Sequence, residues 1–251
     1  MDIIISGCNG KMGRAVAECA ALRDDCRIIA GIDLNTGIAS GFPIYKSFDD
    51  FNGKADVIID FSNPAVLGGL LDYAIKSRTP AVICTTGLDE KQHDMIKKAS
   101  YQTAIFFSAN MSLGVSLLSE LAKTAAEILG KDFDIEIVEA HHNQKLDAPS
   151  GTALMLADEI SEAFKNKPKY EYNRYSKREK RTDNEIGIHS VRGGTIVGEH
   201  EVIFAGHDEV IKLSHSASSK KIFAEGAMNA AKYIALKAPK LYSMKDLIKG
   251  V

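Results

Sequence analysis

Residues 139 to 153 read Glu-Ala-His-His-Asn-Gln-Lys-Leu-Asp-Ala-Pro-Ser-Gly-Thr-Ala. This stretch gathers two histidines, a lysine and a Pro-Ser-Gly-Thr turn between an apolar strand-like run and an apolar helix-like run. His141 and Lys145 are suited to proton transfer, because imidazole exchanges protons near neutral pH and an ammonium group can donate one or hold developing negative charge. The turn Ser150-Gly151-Thr152 opens a helix, whose free backbone N–H groups attract an anion. Proton transfer beside an anion site points to a small acid as substrate.

Each of these residues has a plainer reading when taken alone. His141 or His142 would more often be a structural hydrogen-bonding histidine, Lys145 a solvated cation, and Pro149 and Gly151 loop punctuation. Adjacent histidines on a strand point to opposite faces, which argues against one shared role or one shared metal, and no metal is expected. His93, His189, His207 and His215 lack such company and are read as structural. What gives the set weight is the kind of domain that accompanies it.

The first 110 residues alternate short apolar runs, Ile3–Ile5, Ile28–Ile32, Val57–Ile59, Ala81–Ile83 and Ala104–Phe107, with helix-like stretches such as Pro64 to Ser77. Uninterrupted apolar runs indicate strands buried on both faces, hence an α/β fold with a doubly wound parallel sheet, which binds ligands at the carboxyl ends of its strands. From about 112 the texture changes. A longer helix carries Leu113, Leu117, Leu118, Leu121 and Ile128. Strands alternating in polarity are then expected near Phe133 to Ile137, Ile186 to Val191, Thr195 to Val197, Val202 to Phe204 and Val210 to Leu213, and they suit a mixed or antiparallel sheet. Lys220 to Ile234 is again helix-like.

The first strand ends in Gly7-Cys8-Asn9-Gly10-Lys11-Met12-Gly13 and leads into a helix. Glycines there permit a tight turn and close approach of backbone to a pyrophosphate, although such a turn can also serve packing alone. Asp33, 20 positions after Gly13 at the end of the second strand, is where an acid would bind the adenosine ribose hydroxyls. Cys84-Thr85-Thr86-Gly87 and Ser108-Ala109-Asn110-Met111 are small, polar strand ends that would line the same crevice or simply cap the next helices. Asp60-Phe61-Ser62-Asn63-Pro64 has the same ambiguity. The cofactor expected is NADH or NADPH with a lean to NADH, since a carboxylate accepts the ribose 2′-hydroxyl and repels a 2′-phosphate. Leu34 and Asn35 supply no cation beside it, though Lys11 could reach a phosphate.

A net charge of -2 over 251 residues, with no long single-sign block, gives no reason to expect nucleic acid or an anionic membrane as partner. The run Lys177, Arg178, Lys180, Arg181 is read as a solvated loop. Cys8, Cys19, Cys26 and Cys84 lack CxxC spacing and suit reduced thiols. No apolar stretch approaches the roughly 18 to 20 residues of a membrane span, so no signal peptide or anchor is expected and the cytoplasm is the expected compartment.

The chain resembles the dihydrodipicolinate reductases of the diaminopimelate and lysine pathway. The likeness spans nearly its whole length and rests on Gly7 to Gly13, Asp60-Phe61-Ser62, Thr85-Thr86-Gly87, Ala109-Asn110, Glu139 to Ala153, and Arg192-Gly193-Gly194 leading to Val197-Gly198-Glu199-His200. The resemblance implies a Rossmann-like dinucleotide-binding domain made of residues 1–110 and 219–251. It also implies an inserted α+β substrate-binding and tetramerisation domain with a mixed sheet, residues 111–218, and a homotetramer. Carried over, the family's cofactor contacts fall on Gly7, Cys8, Asn9, Gly10, Lys11, Met12, Asp33, Cys84, Thr85, Thr86, Ser108, Ala109, Asn110 and Met111. The catalytic pair falls on His141 and Lys145, and substrate contacts on His142, Gly151, Thr152 and Arg192. Cys84 stands where the family usually has glycine, and Met111 where it usually has phenylalanine. The implied substrate is 4-hydroxy-tetrahydrodipicolinate, a cyclic imine flanked by two carboxylates.

Overall fold

A computed structural model describes residues 1–38 and 40–250 and divides the chain into two compact units, Met1–Leu113 with Lys221–Val251, and Gly114–Lys220. The chain begins with β1 (Asp2–Ser6), α1 (Lys11–Ala21), β2 (Arg27–Ile32), β3 (Ile44–Tyr45), β4 (Val57–Asp60), α2 (Leu67–Ser77), β5 (Ala81–Ile83), α3 (Glu90–Ala99) and β6 (Ala104–Phe107). It continues through α4 (Leu113–Leu129), β7 (Asp134–His141), α5 (Gly151–Ser161), β8 (Lys169–Glu171), β9 (Glu185–Arg192), β10 (Gly198–Ala205) and β11 (Val210–Ala217). It ends with α6 (Lys221–Ile234), β12 (Lys240–Tyr242) and α7 (Met244–Lys249).

The first unit holds a seven-stranded sheet in the order β12-β6-β5-β4-β1-β2-β3, every pair parallel. Alternate residues of the apolar runs feed two cores. Ile3, Ile5, Val57, Ile59 and Phe106 pack with Val16 of α1, Ala224, Ala227 and Ala231 of α6, and Leu247 of α7. Ile4, Ile58, Ile83 and Ile105 pack with Leu67, Leu70 and Leu71 of α2 and Ile96 of α3. With both faces covered, the strands carry no polar alternation, which is why they stand out as continuous runs. The strand order reverses between β1 and β4, so the crevice at their carboxyl ends is the natural ligand site. The edge strands β3 and β12 have two and three residues, too short to leave a periodic signal.

Small residues bring α6 close to the loop that follows β6. A Cβ placed on Gly226 would lie 1.7 Å from the Met111 carbonyl oxygen, so the glycine is required for this approach rather than for any turn.

In the second unit the sheet order is β11-β10-β7-β9-β8. The central strand β7 runs antiparallel to β10 and parallel to β9, giving a mixed sheet. Leu118, Ala122 and Ala126 of α4, and Ala153, Leu156, Ala157 and Ile160 of α5, pack on Ile135, Ile137, Ile186, Ile188, Val202 and Phe204. The alanines of α4 lie inward, while Leu117, Leu121 and Ile128 remain 47%, 48% and 77% exposed.

Two expectations need correction here. Thr195 to Val197 form no strand. They belong to the connection between β9 and β10, where Gly194 takes a left-handed φ of 47° and the Gly193 N–H donates to the His141 carbonyl at 2.9 Å. Nor is the basic run wholly solvated. Arg181 donates to Glu136 Oε1 at 3.1 Å and to the carbonyls of Ile135 and Glu185 at 2.9 and 2.7 Å, filling acceptors left at the strand ends.

Gly226→Ala should destabilise the chain by about 3 kcal/mol, lowering Tm by roughly 6–12 °C. Gly69→Ala on the exposed side of α2, where a Cβ meets nothing within 4 Å, should be neutral or raise Tm slightly. Paired thermal melts decide the matter, and equal effects at the two sites would contradict the packing argument.

Candidate active site

The glycine turn after β1 is shaped by close backbone approach. Gly7 has φ of 75°, and a Cβ on it would sit 2.6 Å from the Phe61 carbonyl oxygen. A Cβ on Gly13 would sit 2.2 Å from the Gly7 carbonyl oxygen. The N-cap of α1, Gly10, provides no side-chain cap, and no acid lies in the first turn. This bare, positively polarised helix start fits a pyrophosphate. Asp33 follows β2 and accepts the Asn9 N–H on Oδ2 and the Asn35 N–H on Oδ1, both at 3.0 Å. It ties the glycine turn to its own loop, and each oxygen keeps a lone pair for a ribose hydroxyl.

Two clefts open along this sheet edge. One, of about 230 Å³, is lined by Gly7, Gly10 and Asp33 among others. The second, of about 290 Å³, is lined by Met12, Cys84, Thr85, Thr86, Ala109 and Met111 together with Phe223. Phe61 and Ser62, left ambiguous in the sequence, wall both clefts. Other expected residues, Cys8, Asn9, Lys11 and Ser108, line neither cleft. Cys8 is buried, and Asn9 Nδ2 donates to the Asn35 carbonyl at 2.6 Å. Lys11 is exposed at the start of α1, and Ser108 Oγ donates to the Asn110 carbonyl at 2.6 Å.

Beneath the shared wall lies Asp60, 1% exposed, accepting Ser62 Oγ–H and Thr85 Oγ1–H at 2.6 Å each. Burial pushes its pKa up, and the hydrogen bonds from Ser62 and Thr85 oppose that rise. Asp60 thereby ties the end of β4 to the end of β5. All four thiols are pushed up by burial, Cys8 and Cys19 to about 11, so none is an activated nucleophile.

The second unit organises the Glu139 to Ala153 stretch around one carboxylate. Glu139 is fully buried, at the same strand parity as Ile135 and Ile137. Arg192 donates to both of its oxygens, at 2.8 and 2.7 Å, the Ser150 N–H donates to Oε1 at 3.1 Å, and His141 Nδ1 lies 2.6 Å from Oε2. Burial alone would raise the Glu139 pKa. Hydrogen bonds from Arg192, Ser190 and His141 outweigh it and hold the group at about 2. An ionised carboxylate only accepts, so His141 must carry its proton on Nδ1 and leave Nε2 for chemistry. Nε2 lies 3.1 Å from where a Cβ on Gly198 would stand, and the missing side chain there leaves it room.

Lys145 lies in the turn after β7, its N–H donating to the His142 carbonyl at 3.1 Å and its ammonium 2.8 Å from Asp147 Oδ2. Ser150 caps α5 by accepting the Ala153 N–H at 3.1 Å, which sets Gly151 and Thr152 in the first turn. His142 Nδ1 is buried with no hydrogen-bond partner among the described residues. Arg192, expected at the substrate, spends its guanidinium on Glu139 and on the Asp147 and Val191 carbonyls.

Two residues of this cluster, Glu139 and His200, were quoted in the sequence only within longer motifs and were given no role there. Glu139 could have been given one, because a carboxylate at an apolar parity of an alternating strand demands partners. His200 had no comparable signal. It is 5% exposed, opposes Glu139 across β7 and β10, shares a 3.0 Å hydrogen bond with Ser150 Oγ, and meets the His141 ring edge-on at 5.3 Å. Burial, and secondarily the neighbouring His141, push its pKa down to about 4.

Because His200 is neutral when folded, the unfolded chain binds the extra proton between pH 6.5 and about 4. Its contribution to stability is complete above the unfolded value and is lost as pH falls through the folded one, about 3 kcal/mol in all. Chemical denaturation across this range should therefore show a shallower pH dependence in His200→Gln. An unaltered slope would contradict the burial of a neutral imidazole.

Comparison with known proteins bears on both units. The model for the N-terminus of dihydrodipicolinate reductase matches residues 1–111, and that for its C-terminus matches residues 114–248. The 4-hydroxy-tetrahydrodipicolinate reductase of Caldanaerobacter subterraneus subsp. tengcongensis is 52% identical, with 98% of each chain covered. That of Clostridium botulinum is 46% identical over 99% of this chain and 98% of its own. A dipicolinate-bound dihydrodipicolinate reductase from Paenisporosarcina sp. TG-14 shares the fold, with a TM-score of 0.79 at 24% identity over 97% of both chains. With a glycine cradle in one unit, a buried Glu–His pair in the other, and matches spanning both, the chain belongs to the dihydrodipicolinate reductase family.

Proposed function

We propose that this chain reduces 4-hydroxy-tetrahydrodipicolinate to tetrahydrodipicolinate in lysine and diaminopimelate biosynthesis, taking a hydride from NADH or NADPH. The observation that carries the reading is the buried Glu139, which fixes His141 with Nε2 available and draws in the Ser150 backbone that opens α5. The bound nicotinamide supplies the hydride. Gly7 to Met12 would hold the pyrophosphate and Asp33 the adenosine ribose. Cys84 to Thr86, Ala109 and Met111 would form the wall against which the nicotinamide is seated, with Ser108 and Asn110 shaping the loop that carries it.

The ring loses water as C3 gives up a proton and C4 its hydroxyl, C4 then takes the hydride, and C3 is reprotonated. The net change is replacement of the 4-hydroxyl by hydrogen, with consumption of one hydride and one proton and release of water. His141 Nε2 is the acid/base that exchanges the C3 proton, and Glu139 stabilises the imidazolium formed when Nε2 is protonated. Lys145 holds the leaving hydroxyl or protonates it. Gly151 and Thr152 grip one carboxylate through the start of α5, and His142 contributes a further polar contact. Arg192 serves this site mainly by keeping Glu139 ionised.

The reading includes a homotetramer in the cytoplasm. In support, the face of the second sheet away from α4 and α5 carries half-exposed Val138, Ala140 and Ile203, and all four cysteines are free thiols suited to a reducing compartment. Asp33 supports the lean to NADH.

Purified protein should oxidise NADH and NADPH when substrate is formed in place from pyruvate and aspartate semialdehyde. His141→Ala with Lys145→Ala should lower kcat by about 10²–10⁴-fold while leaving NADH affinity intact. Cofactor binding without turnover in the unaltered chain would refute the proposed reaction.

A further inference from the structure

Opposite Asp33, in the cleft that the dinucleotide reading assigns to adenosine, stands a cation contributed by the neighbouring strand. The Asp33 N–H donates to the Tyr45 carbonyl at 2.9 Å, and Ile32 of β2 pairs with Tyr45 of β3. The next residue on each strand is therefore Asp33 on one and Lys46 on the other. Both line the cleft of about 230 Å³ beside Gly7, Gly10 and Leu34, and they are the charged residues among those lining it. Lys46 is exposed, and among the described residues it makes no ion pair.

A ribose seated on the Asp33 carboxylate presents its 2′ position to this rim. There a phosphate would meet one negative charge, which repels it, and one ammonium with no competing partner, which attracts it. From this geometry we infer that Lys46 is a specificity-determining residue, the one that admits the 2′-phosphate of NADPH to a site whose acid otherwise selects NADH. The flexible stem and point charge of lysine suit such a role: the ammonium can swing onto a phosphate when one is present and return to water when the hydroxyl is free.

This inference rests on the proposed dinucleotide site and is separable from it by binding alone. Calorimetry should compare NADH with NADPH, and adenosine 5′-monophosphate with adenosine 2′,5′-bisphosphate, on the unaltered chain, Lys46→Gln and Lys46→Arg. Lys46→Gln should raise the ratio of the NADPH Kd to the NADH Kd about ten-fold, with the same change in the ratio for the two adenosine fragments. Lys46→Arg should keep both ratios near their original values. A ratio unmoved in Lys46→Gln would overturn the inference, as would an unaltered chain that binds NADH but not NADPH. An unaltered chain that binds neither would overturn the dinucleotide site together with it.

Discussion

The Glu139 carboxylate is the constraint around which the second unit is arranged. It occupies a core position of β7 where an apolar side chain would otherwise belong, and a buried charge of this kind is tolerated only when its hydrogen bonds are made. Arg192 reaches it from the end of β9, His141 from two residues along its own strand, and the Ser150 N–H from the start of α5. Satisfying one carboxylate therefore fixes three elements at once. A tautomer, a helix start and a strand end follow from the same interaction.

The first unit solves a different problem. A dinucleotide needs backbone rather than side chains close to its phosphates, and the Gly7 and Gly13 contacts leave no space for a Cβ. The walls must then be braced from below. Asp60 does this by accepting hydrogen bonds from the hydroxyls of Ser62 and Thr85, two residues that line the cleft of about 290 Å³. Each unit thus uses one buried carboxylate as a brace, with the difference that Glu139 is held ionised by a guanidinium while burial pushes Asp60 toward its neutral form.

Much of the fold was legible because burial on both faces leaves a plain record, as in Ile3 to Ile5 and Val57 to Ile59. Strands of two or three residues, β3 and β12, leave none. The glycine turn, Asp33, His141 and the Ser150-Gly151-Thr152 helix start were legible as types at meaningful spacings. What a linear reading could not supply was pairing across strands. The cation near Asp33 was sought at Leu34 and Asn35, whereas the pairing of β2 with β3 brings up Lys46, the residue after β3. For Arg192, expected at the substrate, a linear reading could not show that β7 and β9 pair so that His141 stands opposite it and Glu139 accepts from its guanidinium. His200 becomes part of the cluster only through the antiparallel register that sets it opposite Glu139.

The most direct test of the Glu139 account is steady-state turnover of Glu139→Gln, a near-isosteric change that removes the charge. A neutral amide can neither enforce the Nδ1 proton on His141 nor stabilise its imidazolium. The account predicts a fall in kcat of roughly 10²–10⁴-fold with the cofactor KM little changed. Turnover within about two-fold of the unaltered chain would contradict it, because His141 would then be positioned and charged without the carboxylate.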